Sequence, residues 1–327
     1  MAIETRHPVS PESIEQMDAA GIDALLARLD PLISSESALI RVESPGARAV
    51  AVIGDTHGDW PSAQAALEWF LQSPDDRAFV GLGDYVDRAP PDCPGGSAVN
   101  ALFLLSVKAA YPDRVFLLQG NHEVARRIPV APHDLPKEMD ERWGADRRRY
   151  SRLMGLLERG PLAGYTPSGV FLAHAGFPSR LGSPWTDRFR NVDETLTVEV
   201  LWSRIGASNP DYGLSTPIDE ATLDGFLRAT GLRVFLRGHD PKVVGKSLYH
   251  DHCLTLHTSR MYERYGGILT AHVPLDRPVL STQDIEVIRL SGGRPRPRTD
   301  PIRKIPARPR EAHRRIERPG TPRADER

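Results

Sequence analysis

The sequence has few cysteines and no long hydrophobic run, and both absences exclude classes of protein. Only Cys93 and Cys253 occur in the chain, so a disulfide-bonded secreted scaffold is excluded and a reducing, cytoplasmic location is expected. No stretch approaches the roughly 18 apolar residues of a membrane span, so we expect none. The first residues, MAIETRHPVSPES, lack the apolar core of a secretory signal, and we expect no such signal.

The chain also has little net charge, but its charges are unevenly distributed. The formal net charge is -1. Residues 291–327 hold about 12 basic against about 5 acidic residues, which leaves the rest of the chain at roughly -8. This Pro- and Arg-rich segment is predicted to be a disordered tail. It could be merely solvated or could bind an acidic partner. We do not expect nucleic-acid binding, because the tail lacks interleaved aromatic residues.

Short apolar runs alternate with helical patterns from residue 49 onward, and this alternation predicts an α/β fold with parallel neighbouring strands. Ahead of it, Ser10-Pro11 reads as a helix start, and residues 14–29 have the spacing of one amphipathic helix. Two runs near the end, 254–256 and 268–270, predict further strands, for which an antiparallel arrangement is expected. Strands are predicted at 49–53, 78–82, 115–118, 170–173 and 234–236, and helices at 62–71 and 97–110.

Three segments follow from these patterns. Residues 1–46 are predicted to form an N-terminal extension with an amphipathic helix, and residues 47–290 the catalytic domain. Within that domain, the charged segment 129–160 is predicted to be helical and to form a cap beside the site. Residues 291–327 form the predicted tail.

A polar cluster follows each of five apolar runs. In open α/β sheets, ligands bind beyond the carboxyl ends of the strands, so the five clusters are expected to meet at one edge. Their glycines allow tight turns and close backbone approach. The clusters are Gly54-Asp55-Thr56-His57-Gly58, Gly83-Asp84-Tyr85-Val86-Asp87-Arg88, Gly120-Asn121-His122-Glu123, His174-Ala175-Gly176 and Arg237-Gly238-His239-Asp240.

The residue types in these clusters suit a two-metal centre. Aspartate supplies oxygen ligands and can bridge two ions, histidine supplies nitrogen suited to Zn, Fe or Mn, and asparagine supplies a neutral carbonyl oxygen. Two ions about 3.5–4 Å apart can share a water molecule and lower its pKa. Arginine can grip phosphate oxygens in a bidentate manner. Two divalent ions acting on a phosphate ester are therefore predicted.

The ordered motif set GDxHG, GDxVDR, GNHE, HxG and RGH resembles the phosphoprotein-phosphatase family of serine/threonine phosphatases, within the calcineurin-like metallophosphoesterases. The resemblance covers residues 49–273. One such motif alone is weak evidence, whereas five in order, each after an apolar run, are not expected by chance. The resemblance implies a central β-sandwich of mixed sheets flanked by helices.

The resemblance also implies roles for the motif residues. His122 would be the general acid that protonates the leaving oxygen, Asp87 would orient it, and Arg88 would bind the phosphate. Asp84 would bridge the two ions. The implied metal ligands are Asp55, His57 and Asp84 for the first ion, and Asp84, Asn121, His174 and His239 for the second.

Two further residues are candidates for phosphate contacts. Family members carry a tyrosine in a Ser-Ala-Pro-Asn-Tyr stretch, and Tyr262 in Thr-Ser-Arg-Met-Tyr has a similar placement. Arg204 stands where the family's Leu-Leu-Trp-Ser-Asp-Pro stretch has aspartate, and it could contact phosphate or be an ordinary solvated arginine. The other histidines near the last strands are predicted to be structural or surface residues, namely His250, His252, His257 and His272.

Three functions compete. The leading hypothesis is a metal-dependent phosphatase acting on phosphomonoesters, such as phosphoserine or phosphothreonine in proteins or a small phosphoester. The second keeps the chemistry but hydrolyses dinucleoside polyphosphates or other nucleotides, with Arg147, Arg148 and Arg149 beside the polyphosphate chain. The third, a non-catalytic binding protein on a phosphatase fold, predicts missing ligand residues, and none is missing.

Overall fold

The computed structural model describes residues 8–206 and 217–291, so the predicted tail beyond Ser291 lies outside the described residues. The helices are α1 Pro11–Glu15, α2 Ala19–Leu29, α3 Trp60–Gln72, α4 Gly96–Ala110, α5 Leu135–Trp143, α6 Arg147–Leu157, α7 Glu194–Trp202, α8 Glu220–Thr230 and α9 Glu263–Gly266. The strands are β1 Leu39–Arg41, β2 Ala49–Ile53, β3 Arg77–Gly81, β4 Val115–Leu117, β5 Ala163–Tyr165, β6 Val170–Ala173, β7 Val234–Arg237, β8 Ser247–Leu248, β9 Cys253–Thr255, β10 Ile268–Pro274 and β11 Glu286–Leu290.

One sheet has five strands in the order β11-β10-β2-β3-β4. Three of its four strand pairings agree with the predictions from the sequence. Strands β2, β3 and β4 run parallel, and β10 runs antiparallel to β2. The connections between the parallel strands contain α3 and α4, as the alternating pattern predicted. All residues of β2 after Ala49 are buried, which explains why the strand appears in the sequence as a continuous apolar run.

The other sheet has six strands in the order β1-β5-β6-β7-β9-β8. Here the expected antiparallel arrangement of residues 254–256 holds only on one side, because β9 is antiparallel to β8 but parallel to β7. The chain leaves β7, forms the short β8, and turns back into β9, which is antiparallel to β8. This extra reversal restores the direction of β7. Strand β1, from the segment predicted as an N-terminal extension, pairs with β5 at the edge of this sheet.

The predicted helix over residues 14–29 is in fact two helices. Ser10 accepts a hydrogen bond from the backbone N–H of Ser13 at the start of α1. Asp18 begins α2 by accepting from the N–H of Gly21 at 2.8 Å. A side chain that caps a new helix competes with continuation of the old one, so the chain breaks at this residue.

The two sheets enclose one apolar cluster, with side chains such as Val52, Val80, Leu172 and Leu236, all fully buried. Helices α1, α2, α4 and α6 contribute to a second cluster on the outer face of the five-stranded sheet. The predicted β-sandwich of mixed sheets flanked by helices is therefore confirmed. Within residues 8–206 and 217–291, no helix has the length and apolar character that a membrane crossing requires.

Candidate metal centre

The five motif loops begin where β2, β3, β4, β6 and β7 end, and several of their residues have unusual backbone conformations. Left-handed backbone is rare for residues other than glycine and costs about 1–3 kcal/mol per residue, so it clusters where function requires it. These turns point side chains from different strands back toward one place. The motif residues with positive φ are His57, Asp84, Asp87, Arg88 and His239, with φ from 44° to 67°.

Two glycines are required by close approach of the metal-binding carboxylate candidates. A Cβ atom at Gly238 would overlap Oδ1 of Asp55, and one at Gly120 would overlap Oδ1 of Asp84. Both carboxylates are about 1% exposed. Glycine at these two positions lets the neighbouring loops pack directly against the candidate ligands.

Asp55, His57 and Asp84 lie together on one side of the site. Nε2 of His57 is 3.5 Å from Oδ2 of Asp84 and 3.9 Å from Oδ2 of Asp55. Nδ1 of His57 is 3.0 Å from the carbonyl oxygen of Val86, which accepts its proton. The Nε2 lone pair of the neutral ring therefore points at two carboxylate oxygens, as it does in proteins where a backbone carbonyl orients a metal-binding histidine.

Asn121, His174 and His239 form the second set. Nδ1 of His174 lies 3.1 Å from the carbonyl oxygen of Leu82, which again leaves the Nε2 lone pair for the site. Nε2 of His174 is 3.1 Å from Oδ1 of Asn121, 3.1 Å from Nδ1 of His239 and 3.5 Å from Oδ2 of Asp84. Without an ion, the Asn121 amide would satisfy His174 and Asp84 only if it turned round so that its nitrogen donated to both. With a cation among these groups, the amide oxygen is a suitable ligand in its present orientation.

The charge balance of the buried cluster also fits cations. Burial raises the pKa of Asp55 to about 6, although the neighbouring His174 acts in the opposite direction. Burial lowers the pKa of His57 to about 3 against the attraction of Asp84, so the ring is neutral and able to bind a metal. Two groups of buried histidine and aspartate side chains share Asp84, as a bridging ligand requires. Grouped by distance, they are His57 with Asp84 and His122, and Asp84 with His174 and His239; Asp55 lies beside the first group.

His122 lies beside the cluster and is held by a carboxylate. Its Nδ1 is 2.5 Å from Oδ2 of Asp87, while its buried Nε2 has no hydrogen-bond partner among the described residues and lies 4.0 Å from Oδ2 of Asp84. Burial opposes a charged ring, but the carboxylates of Asp84 and Asp87 together raise the pKa of His122. The ring therefore keeps a proton at Nε2 that faces the site.

Arg88 and Tyr262 meet at the same edge. Nη1 of Arg88 donates to the Tyr262 hydroxyl at 3.2 Å and lies 3.4 Å from Nε2 of His57. Arg204 acts on the site through its charge. Burial, His174 and Arg204, in that order, hold the pKa of His239 well below its usual range. The structure thus brings Tyr262 to Arg88 and places Arg204 within electrostatic reach of His239.

Two residues of the site were not identified from the sequence. Glu123 is fully buried and accepts backbone N–H groups of Asp84, Tyr85 and Gly120 at 2.6–2.9 Å, so it braces the second and third motif loops together. The position of Glu123 within the GNHE motif was the only available hint. His257, predicted to be a structural or surface residue, is buried and lies against Asp55, with 3.4 Å between Nε2 and Oδ2.

Comparisons with known proteins agree with this geometry. The family described as Calcineurin-like phosphoesterase matches residues 49–243. The chain is 26% identical over 256 residues to the serine/threonine-protein phosphatase PP2A-like PPG1 of Saccharomyces cerevisiae, covering 72% of this chain and 66% of that protein. It is 25% identical over 272 residues to human serine/threonine-protein phosphatase 5, covering 79% of this chain and 52% of that protein. The chain thus spans only about half to two thirds of the length of these relatives.

A comparison of structures supports the same fold. A solved serine/threonine phosphatase from Saccharomyces cerevisiae, similar to human PP5, superimposes with a TM-score of 0.61 at 24% identity, covering 78% of this chain and 82% of that one. Calcineurin-like phosphoesterases use a dinuclear divalent metal centre, and the buried histidine and aspartate groups described above are candidates for such a centre. With the family matched over most of the residues that build the two sheets and the site, the chain belongs to the calcineurin-like phosphoesterases.

Proposed function

We propose that this protein is a metal-dependent phosphatase that hydrolyses phosphomonoesters, with phosphoserine and phosphothreonine in proteins as its substrates. The observation that supports this most is the convergence of two buried donor sets on Asp84. A proton-carrying histidine and an arginine lie at the same edge. The similarity to serine/threonine phosphatases favours the same substrate class.

The chain's own residues would hold two divalent ions. Asp55 and His57 would bind the first ion, Asp84 would bridge, and the Asn121, His174 and His239 set would bind the second. When bound, such ions activate a water molecule as nucleophile and withdraw charge from the phosphoryl oxygens. We propose Mn, Fe or Zn, because imidazole nitrogens in both sets suit these ions better than Mg.

Groups beside the cluster would bind the phosphate and donate the proton to the leaving oxygen. Arg88 would bind two phosphoryl oxygens through its guanidinium group, with Tyr262 fixing its orientation. Arg204 would add positive charge to the site. His122 would donate its Nε2 proton to the leaving oxygen, and Asp87 would keep that ring oriented and protonated.

The nucleotide alternative receives less support from the structure. Arg148 and Arg149, proposed to line a polyphosphate chain, form ion pairs with Asp146 and Asp23, each with a closest distance of 2.9 Å. The Arg148 side chain is largely exposed. Charges already paired at the helix surface add little to binding a ligand elsewhere.

The test compares substrates with one protein preparation. Purified full-length protein, with and without Mn²⁺, is assayed on para-nitrophenyl phosphate, a phosphoserine peptide and a diadenosine polyphosphate. We expect metal-dependent turnover of the first two, lost in Asp84→Asn and retained in the control Asp224→Asn, which lies in an exposed ion pair on α8. Turnover of the diadenosine polyphosphate alone would replace the protein-phosphatase proposal with the nucleotide one.

The cellular location, the domain division and the partner of the basic segment are also proposals. We propose a cytoplasmic location, consistent with the two cysteines being unbridged. We propose that the catalytic domain begins after residue 46 and ends at residue 290, and that residues 129–160 form a cap beside the site. We also propose that the basic segment after residue 291 binds an acidic partner. Helices α5 and α6 lie in the proposed cap and contact α4.

A further inference from the structure

His257 follows β9 and forms an isolated bridge with Asp55, the first residue of the metal-site motifs. Its ring is 1% exposed, and neither ring nitrogen has a hydrogen-bond partner among the described residues. Nε2 lies 3.4 Å from Oδ2 of Asp55. The ring of His257 also makes a T-shaped contact with Tyr262, with 4.9 Å between ring centroids.

A buried imidazole without a partner is costly, because an unsatisfied buried polar group loses about 1–3 kcal/mol. A hydrogen bond to Asp55 does not explain the placement. The distance of 3.4 Å exceeds the usual 2.7–3.2 Å for N–H···O. Asp55 already accepts the backbone N–H of His239 at 2.9 Å through its other oxygen. Within the described part of the chain, the ring therefore has no hydrogen bond that would account for its burial.

The neighbours of His257 make it a candidate for metal binding. Oδ2 of Asp55 lies near two imidazole nitrogens, with Nε2 of His57 at 3.9 Å and Nε2 of His257 at 3.4 Å. With metal–nitrogen bonds of about 2.0–2.1 Å, adjacent ligands of one ion lie about 3 Å apart, so only a small closure is needed.

We propose that His257 is an additional ligand of the first metal ion, joining Asp55, His57 and Asp84 through Nε2. This inference rests on the proposed two-metal function and extends it to a residue outside the five motifs. A second imidazole makes the first site richer in nitrogen, which shifts its preference further from Mg toward Mn, Fe and Zn. Binding an ion would also give the buried His257 ring the polar partner that it lacks among the described residues.

The first test is metal binding, measured without any assay of activity. The full-length chain, stripped with a chelator, is titrated with Mn²⁺ by calorimetry as parent, as His257→Phe and as His272→Phe. Phenylalanine keeps the ring that packs on Tyr262. His272 is a matched control because it too is a buried ring, stacked on Trp69 at 3.8 Å and outside the candidate metal centre.

We expect the parent and His272→Phe to bind two ions, and His257→Phe to bind one of the two at least about 10-fold more weakly. Two ions bound by His257→Phe with parental affinities would overturn the inference and leave the proposed function intact. A parent that binds no divalent ion would overturn both.

The second test uses only the parent, so it does not depend on the variant folding. Crystals are loaded with Mn²⁺ and the ions are located by anomalous scattering. Nε2 of His257 within about 2.3 Å of an ion supports the inference. An ion bound by Asp55 and His57 with that nitrogen more than about 3 Å away contradicts it.

Discussion

Oδ2 of Asp87 lies 2.5 Å from Nδ1 of His122 and 2.9 Å from Nδ1 of His133, so one carboxylate oxygen serves two imidazole rings. The other oxygen accepts the backbone N–H groups of Asp134 and Leu135 at 2.7 and 2.8 Å. Burial disfavours this charge, but the bonds from His122 and His133 outweigh it and lower the pKa of Asp87. Asp87 therefore remains ionised while it holds the candidate general acid.

Replacing this carboxylate should change the pH dependence of turnover. The pKa of His122 is raised in the protein, with the Asp87 bond among its causes, and His122 is proposed to act in its protonated form. In Asp87→Asn the pKa of His122 falls, so its proton is lost at lower pH and the basic limb of the kcat/KM profile moves to lower pH. We expect kcat to fall about 100-fold. An unmoved basic limb, measured on para-nitrophenyl phosphate against Asp224→Asn, would contradict this role.

Arg88→Lys tests phosphate recognition. Lysine keeps the charge but loses the planar fork that binds two oxygens, and it cannot keep the same contact with the Tyr262 hydroxyl. We expect kcat/KM to fall by about 10- to 100-fold, and Tyr262→Phe to have a smaller effect because the guanidinium remains. Steady-state kinetics on para-nitrophenyl phosphate measures both, and equal losses in the two variants would assign the main role to Tyr262.

Arg204→Gln separates the two explanations of this arginine. If Arg204 contacts phosphate before and during the reaction alike, KM rises by about 10-fold while kcat is little changed. Binding of Mn²⁺ should not weaken, since removal of a nearby positive charge does not oppose a cation. A KM equal to that of the parent protein would identify Arg204 as an ordinary surface arginine.

Gly238→Ala should weaken metal binding without touching a ligand. The added methyl group would overlap Oδ1 of Asp55, which also accepts the N–H of His239 at 2.9 Å. We expect at least a 10-fold loss of Mn²⁺ affinity, measured by calorimetry. The matched control is Gly225→Ala on α8, where nothing lies within 4 Å of the added Cβ and alanine favours the helix. Equal affinities in the two variants would show that Asp55 tolerates displacement.

Glu123→Gln should destabilise the fold. Both oxygens of Glu123 accept backbone N–H groups, three in all, and a glutamine amide turns one acceptor into a donor. At least one buried N–H then loses its partner, which costs about 1–3 kcal/mol of unfolding free energy. Glu220→Gln, which removes only an exposed pair with His250, should change stability by about 0–1 kcal/mol in denaturant unfolding. Similar losses in both would contradict the bracing role.

The elements predicted well from sequence share a physical cause. Strands β2, β3, β6 and β7 are buried on nearly every residue, so their apolar runs and terminal glycines are visible without a structure. Other strands lack this signal. Strand β8 has only two residues, and β11 is exposed or half-buried at all but its last residue, so neither forms a continuous buried run. The break between α1 and α2 was missed because the apolar spacing continues across the Asp18 cap.

The sequence by itself determined the α/β alternation, the five polar clusters after the strands and the chemistry of their side chains, because strand ends and residue types are local properties. The direction of β9, the bracing by Glu123 and the approach of His257 to Asp55 were decided only by the tertiary structure. His257 and Asp55 meet because β9 lies in one sheet and β2 in the other, and the packing of the two sheets brings their ends together. Contacts of this kind depend on how distant segments pack, and local patterns carry no record of that.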